Sequence, residues 1–304
     1  MTALSLVTGF LGSGKTTYLR RLVNQYRDRR LVFLVNEFSP VDIDGPLLGS
    51  VEDDVLSLPG GSIFCTCLVT EFISTLKSIP ERFGREAPVE GVIIEASGIA
   101  NPKVVERMLR ETRLDEHYAL STIVTIVDPG TFPVLRHTLP NIVAQVEASD
   151  TVILNKVDVF DAETLKSVEE DLRRIHPGVR IVRATYCEVA LDVLAMPQYR
   201  GLEGEYAPCA DPNYARFTVK VPVPLDEARL RAALEGVRTV LFRMKGFVPG
   251  PSGSLYLDYS GSGLTLAPAA EPHPAHELAI IASGPRYEEA RRFVEALKRG
   301  ACNA

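Results

Sequence analysis

The sequence has no tryptophan, four methionines and only five cysteines among its 304 residues. An odd, thinly spread set of cysteines, with Cys65 and Cys67 the one close pair, excludes a disulfide framework and points to a reducing compartment. Long apolar runs are lacking as well, and none approaches the roughly 18 residues of a membrane span. The apolar opening from Met1 to Thr8 has no basic residue before it and no cleavage-like site, so it reads as a buried strand and not a signal peptide. Cationic excess is also missing. Lys and Arg number 33 against 39 Asp and Glu, and a net charge of −6 is a poor footprint for duplex nucleic acid or an anionic lipid surface. Ordinary contents of hydrophobic (46%) and charged (24%) residues exclude a disordered or fibrous chain. Two domains are expected at about 100–200 residues each. The class these absences leave is a cytoplasmic protein with no nucleic-acid partner and no membrane partner.

What is present is an alternation of strand-like and helix-like patterns through the first two thirds. Leu4–Thr8 is a short apolar run, Gly9–Gly14 is glycine-rich, and Tyr18, Leu19, Leu22 and Val23 then recur at helical spacing. Leu31–Asn36, Val55–Leu58, Gly91–Ala96, Ser121–Asp128, Thr151–Asn155 and Arg180–Thr185 continue the strand series. These runs are nearly all apolar instead of alternating, so both faces of their sheet should be covered by helices. That predicts an α/β fold with a doubly wound, mostly parallel sheet. From Met196 to Asn213 prolines, glycines and tyrosines suggest a linker. Beyond it, alternating strands at Ala215–Val221, Val240–Val248, Ser254–Tyr259 and Leu278–Ser283, with helices at Leu225–Gly236 and Tyr287–Arg299, predict a smaller α+β domain with a mostly antiparallel sheet. Leu266–Glu277, rich in Pro, Ala and His, reads as a loop. The expected domains are 1–205 and 206–304.

Three motifs carry chemistry. Gly9-Phe10-Leu11-Gly12-Ser13-Gly14-Lys15-Thr16 fits the P-loop pattern G-x-x-x-x-G-K-[ST] in full, between a predicted strand and a predicted helix. A polyphosphate needs backbone N–H groups aimed inward, which requires glycine where a Cβ would block the approach. Lys15 should reach the β- and γ-phosphates, Thr16 should bind Mg²⁺, and Thr17 is a candidate for the α-phosphate. Asn155-Lys156-Val157-Asp158 follows a later strand. There the Asp158 carboxylate can accept two donors from guanine that adenine does not offer, Asn155 would orient the loop and contact the base, and the Lys156 stem would cover a ring face. Arg183-Ala184-Thr185 would form the backbone wall of the same pocket. The third motif, Ile93-Ile94-Glu95-Ala96-Ser97-Gly98, ends another strand. Glu95 is positioned there to hold Mg²⁺ or orient a nucleophile, and the Gly98 N–H could sense the γ-phosphate. Glu37 and Asp42, in the turn-rich segment after the second strand, are candidate switch residues.

The opening VTGFLGSGKTT, together with LVNEFSPVDIDG, IIEASGIANP, LNKVD and the C-terminal VLFRMKGFV and SLYLDYSGSGLTL, resembles the CobW-type GTPases, which are related to the HypB and UreG metallochaperones. That resemblance spans nearly the whole chain. It implies a P-loop NTPase domain followed by a CobW-like C-terminal domain, with GTP and Mg²⁺ as ligands and GTP hydrolysis that is slow without a partner. It also implies coupling to metal delivery or to assembly of a metalloenzyme, so a client metalloprotein or cofactor-assembly protein is the expected partner, with a homodimer left open. One departure stands out. Where the family carries G-C-x-C-C, this chain reads Gly61-Ser62-Ile63-Phe64-Cys65-Thr66-Cys67. Either Cys65 and Cys67 are ligands of an incomplete site for Zn²⁺ or another transition metal, or they are buried or redox-active thiols and the protein is a metal-free docking or activation switch. His273 and His276 form a short H-x-x-H with a weaker claim to metal.

Overall fold

Leu4, Leu6 and Val7 are fully buried in the first strand, and this one segment has neighbours on both edges. The structure is a computed structural model that describes residues 1–37, 55–59, 64, 69–85, 87–195, 199–207, 214–250, 253–261, 263–269 and 276–303, without the side chains of residues 37, 55 and 57–59. Contacts divide the chain into two units, Met1–Cys209 and Ala210–Ala304.

The first unit is a seven-stranded parallel sheet. Its strands are β1 (Thr2–Thr8), β2 (Leu31–Glu37), β3 (Val55–Pro59), β4 (Gly91–Glu95), β5 (Tyr118–Val127), β6 (Thr151–Leu154) and β7 (Arg180–Arg183), in the spatial order β3-β2-β4-β1-β5-β6-β7. Helices α1 (Lys15–Gln25), α2 (Val69–Phe83), α3 (Val105–Glu111), α4 (Phe132–Thr138), α5 (Pro140–Glu147) and α6 (Ala162–Ile175) lie between the strands along the chain, α4 and α5 both between β5 and β6. Side chains alternate between two cores. Leu4, Leu6, Val32, Leu34, Val92 and Ile94 pack with Phe72 and Leu76 of α2 and Met108 of α3. Val7, Phe33, Val35, Ile93 and Ile126 pack instead with Tyr18, Leu19 and Leu22 of α1. Each fully buried leucine or phenylalanine contributes about 1.5–3 kcal/mol, which is why the strands read as continuous apolar runs. The doubly wound, mostly parallel α/β fold is therefore the observed one. Strand order reverses around β1, so the crevice beyond the carboxyl ends of β1, β4 and β5 is where ligands bind in such sheets.

The second unit is a five-stranded antiparallel sheet, β11-β10-β9-β12-β8, built from β8 (Tyr214–Lys220), β9 (Leu241–Gly250), β10 (Gly253–Ser260), β11 (Gly263–Pro268) and β12 (Glu277–Ser283). Helices α7 (Glu227–Glu235) and α8 (Tyr287–Lys298) supply Leu230, Leu234, Phe293 and Val294 to its core, against Val219, Met244, Leu257 and Ile280. Two expectations change. Leu266 to Pro268, read as loop, are the end of β11; as an edge strand it pairs on one side only, a place where proline is tolerated. Of the expected linker, residues 199–207 are instead strapped to the first unit. Glu106 accepts the Arg200 and Leu202 N–H groups at 2.8 and 2.7 Å, Tyr206 donates to Glu111 at 2.9 Å, and the Arg200 guanidinium pairs with Asp150 at 2.6 Å. Composition signalled an irregular backbone, and these tertiary partners hold it in place.

Arg200→Ala should lower the unfolding free energy by about 1–3 kcal/mol, because it removes charge-assisted bonds from a guanidinium that is largely buried. Urea denaturation checks this, and an unchanged midpoint would show that the strap adds nothing to the fold.

Candidate functional site

The P-loop joins β1 to α1, and its shape depends on glycine. Gly9, Gly12 and Gly14 all have positive φ, at 135°, 79° and 117°. A Cβ on Gly9 would lie 2.3 Å from the Ile126 carbonyl oxygen, and one on Gly14 would lie 2.5 Å from Asn155 Nδ2. Side chains are thus excluded by conformation and by close approach to the neighbouring elements. Gly14 caps α1 with no side-chain acceptor, and the first turn of the helix holds no acidic residue. The positive end of the helix dipole at this terminus favours an anion. Lys15 is buried there and donates to the Phe10 carbonyl at 3.2 Å. Ser13 Oγ is buried without a hydrogen-bond partner among the described residues.

Glu95 stands at the carboxyl end of β4, opposite Val7 of β1, and is 4% exposed. Thr16, in the first turn of α1, is half-buried. A hydroxyl and a carboxylate are hard oxygen donors, the set that suits Mg²⁺ alongside phosphate oxygens and water. Gly98 lies against the P-loop, since a Cβ there would be 2.7 Å from the Leu11 backbone nitrogen. Thr17 follows on α1 and is half-buried.

The loop after β6 is bonded directly to the phosphate loop. Asn155 Nδ2 donates to the Ser13 carbonyl at 2.8 Å, while Asn155 Oδ1 accepts the Cys187 N–H at 2.8 Å. Both ends of this amide are engaged, so its geometry is that of a tether. Lys156, held at φ 61°, sends Nζ to the Gly12 carbonyl at 2.8 Å and to Asp128 Oδ2 at 2.7 Å. Asp158 is exposed and accepts the Thr185 hydroxyl at 3.1 Å. The Ala184 carbonyl accepts the Val157 N–H at 3.2 Å, which joins the segment after β7 to this loop, whereas the Arg183 side chain turns away to Glu169. Glu37 ends β2; its side chain, together with Asp42, Cys65, Cys67 and His273, lies outside the described residues. His276 is described, and its Nε2 meets Ser254 Oγ at 3.1 Å.

Three residues of this site escaped the reading of the sequence. Asp128, at the end of β5, fixes Lys156 and accepts the Gly130 N–H at 2.9 Å; its one local signal was the aspartate two residues before a glycine. Buried Asn36 accepts the Ser97 N–H at 3.2 Å and so joins the end of β2 to the Glu95 segment. Cys187, at φ 54°, bonds Asn155 and sends its thiol toward the Gly14 carbonyl at 3.5 Å. Burial pushes that thiol from 9.0 up to about 12, although the Arg21 and Lys156 charges pull the other way.

Cys187 should therefore resist alkylation in the native protein at about pH 8 and react once the chain unfolds. The sign for stability follows. The unfolded chain releases this proton near the ordinary thiol value and the folded chain keeps it to about 12, so the contribution of Cys187 declines as pH rises between the two. Peptide-mapped mass spectrometry with and without urea checks the labelling; equal rates in both states would refute the buried placement.

The chain is similar in sequence to several known proteins. Residues 3–183 match the family model described as CobW/HypB/UreG, nucleotide-binding domain. The "Zinc chaperone CobW" of Pseudomonas aeruginosa is 30% identical over 305 residues, covering 86% of this chain and 80% of that protein. The "Zinc-regulated GTPase metalloprotein activator 1" of Dictyostelium discoideum is 26% identical over 299 residues, covering 80% and 62%. Among solved structures, the Zn(II)-bound YjiA GTPase from E. coli aligns over 97% of this chain and 98% of its own, at 20% identity and a TM-score of 0.48. The match across 3–183, on a parallel sheet whose P-loop leaves β1, makes this chain a member of the CobW/HypB/UreG family.

Proposed function

We propose that this chain binds GTP with Mg²⁺ and hydrolyses it to GDP and phosphate, as a cytoplasmic switch that gates delivery of a transition-metal ion to a client metalloprotein or cofactor-assembly protein. The observation that carries the nucleotide part is the pair of bonds from Asn155 and Lys156 to the Ser13 and Gly12 carbonyls, which supports one continuous pocket for base and phosphates. In it Asp158 accepts the guanine donors, Thr185 steadies that carboxylate, and the main chain of Arg183 to Thr185 walls the base. Gly9, Gly12, Ser13, Gly14, Lys15 and Thr17 line the phosphates. Thr16 and Glu95 would hold Mg²⁺, and a bound Mg²⁺ offsets the negative charge that grows on the phosphate oxygens. Lys15 presents its ammonium to the β- and γ-phosphates, where charge develops in the transition state. Glu37 and Gly98 respond to the terminal phosphate. The nucleotide motifs contain no glutamine, and their one arginine, Arg183, turns its side chain to Glu169, which supports slow turnover without a partner.

The metal part rests on relatives named as zinc chaperones, with Zn²⁺ as cargo and Cys65 and Cys67 as its thiolate ligands. Two cysteines in place of three favour a second reading, a metal-free docking switch.

GTP should bind at least about 100-fold more tightly than ATP, since a charge-assisted pair of bonds to Asp158 is lost with adenine. Asp158→Asn should move the preference to xanthosine nucleotides, whose O2 is an acceptor. Calorimetry with the three triphosphates tests both, and equal affinities for GTP and ATP would remove guanine recognition.

Zn²⁺ affinity should differ between the GTP and GDP states, and by linkage Zn²⁺ must change nucleotide affinity by the same factor. Titration against a chelator in each state, repeated on the Cys65→Ser/Cys67→Ser variant, decides between the readings. Binding that is indifferent to nucleotide, or that survives the double substitution, leaves the docking switch.

A further inference from the structure

The segment that carries Glu95 and Gly98 is gripped from α5 by two amide side chains. Gln145 Nε2 donates to the Gly98 carbonyl at 3.3 Å and to the Ala100 carbonyl at 3.0 Å. Asn141 Nδ2 donates to the Ile99 carbonyl between them at 2.8 Å. Three consecutive carbonyls thus face one helix, served by residues four apart that share its surface. Gln145 is 1% exposed. Packing alone would be met as well by leucine, so a glutamine at that depth is there for its hydrogen bonds. The main-chain carbonyl of Gln145 accepts the hydroxyls of Thr125 and Ser149 at 2.9 and 2.6 Å, which ties this point of α5 to β5.

On its other side the same segment meets the phosphate loop. The Ala100 N–H returns to the Ser97 carbonyl at 2.9 Å, closing a tight turn with Gly98 as its second residue. The Gly98 Cα lies so close to Leu11 that a Cβ would stand 2.7 Å from the Leu11 nitrogen. The amides of α5 therefore hold the turn by its carbonyls while its glycine rests on the P-loop. None of the motifs in the sequence includes α5.

We propose that Gln145 and Asn141 are positioning residues of the nucleotide site, holding the Ser97–Ala100 turn so that the Gly98 N–H stands where a terminal phosphate arrives, and thereby setting the preference for nucleoside triphosphate over diphosphate. This rests on the reading of Gly98 as a γ-phosphate contact. A diphosphate has no atom at that place, so its affinity is indifferent to the clamp. A purely structural pin would weaken the two nucleotides together.

Gln145→Leu keeps the volume and removes the donors, Gln145→Glu sets acceptor oxygens against the carbonyls, and Asn141→Ala cuts the middle bond from a partly exposed position. Calorimetry with Mg²⁺ gives the dissociation constants of GDP and of a non-hydrolysable GTP analogue for each variant, and single-turnover hydrolysis gives the rate. GDP should stay within about twofold, while the analogue weakens about tenfold, one hydrogen bond of about 1.4 kcal/mol, with a parallel fall in rate. Should either Gln145 variant fail to fold, Asn141→Ala carries the same differential readout. Equal weakening of both nucleotides, or no change in either, overturns the proposal alone. A wild-type chain that binds neither nucleotide overturns it together with the function on which it rests.

Discussion

The bonds from Asn155 to the Ser13 carbonyl and from Lys156 to the Gly12 carbonyl are the constraint on which the site depends, because they join segments 142 and 144 residues apart. A peptide plane carries its C=O and the following N–H on opposite sides. Tying the Ser13 carbonyl to Asn155 therefore turns the Gly14 N–H the other way. The glycines make that loop permissible, and the tether selects one conformation among those that glycine allows. Lys156 is held in turn by Asp128, so the orientation of the phosphate loop rests on the ends of β5 and β6 as well as on β1.

The same logic runs along the edge of the sheet. Segments that leave the carboxyl ends of β1, β2, β4, β5 and β6 are cross-linked by side-chain amides and carboxylates, with Asn36 reaching Ser97, Asn155 reaching Ser13 and Cys187, and Asp128 reaching Lys156. Such buried polar bonds are worth most when every member is satisfied, since a lone buried amide is costly. The apolar layers beneath place the strands, and the polar network above them sets the loops.

Much of the first unit was legible from residue pattern because a parallel sheet buried on both faces demands continuous apolar runs, and β1, β2, β4, β5 and β6 have them. The P-loop was legible for a different reason: a polyphosphate cradle admits few residue types at each position, so the letters report the geometry. Asp128 was not legible. A single strand-end aspartate looks like any turn residue until Lys156 is brought to 2.7 Å from it. The strap at residues 199–207 was hidden in the same way, since proline and glycine announce irregular backbone and say nothing of Glu106 and Asp150 waiting in the fold. Edge strand β11 was obscured by the composition around Pro268, because an edge needs hydrogen bonds on one side only.

The sequence by itself determined the alternation of strand and helix, the glycine positions of the phosphate loop, and the order of the motifs along the chain. All of these follow from local conformational preference and from periodic burial, which act over a few residues at a time. Only the tertiary structure decided which amide meets which carbonyl: that Asn155 ties Ser13 to Cys187, that Lys156 answers to Asp128, and that Gln145 and Asn141 hold the turn at Gly98. A hydrogen bond works over about 3 Å and needs its donor aimed, and residues far apart in sequence acquire that distance and direction only when the sheet has brought their strand ends together.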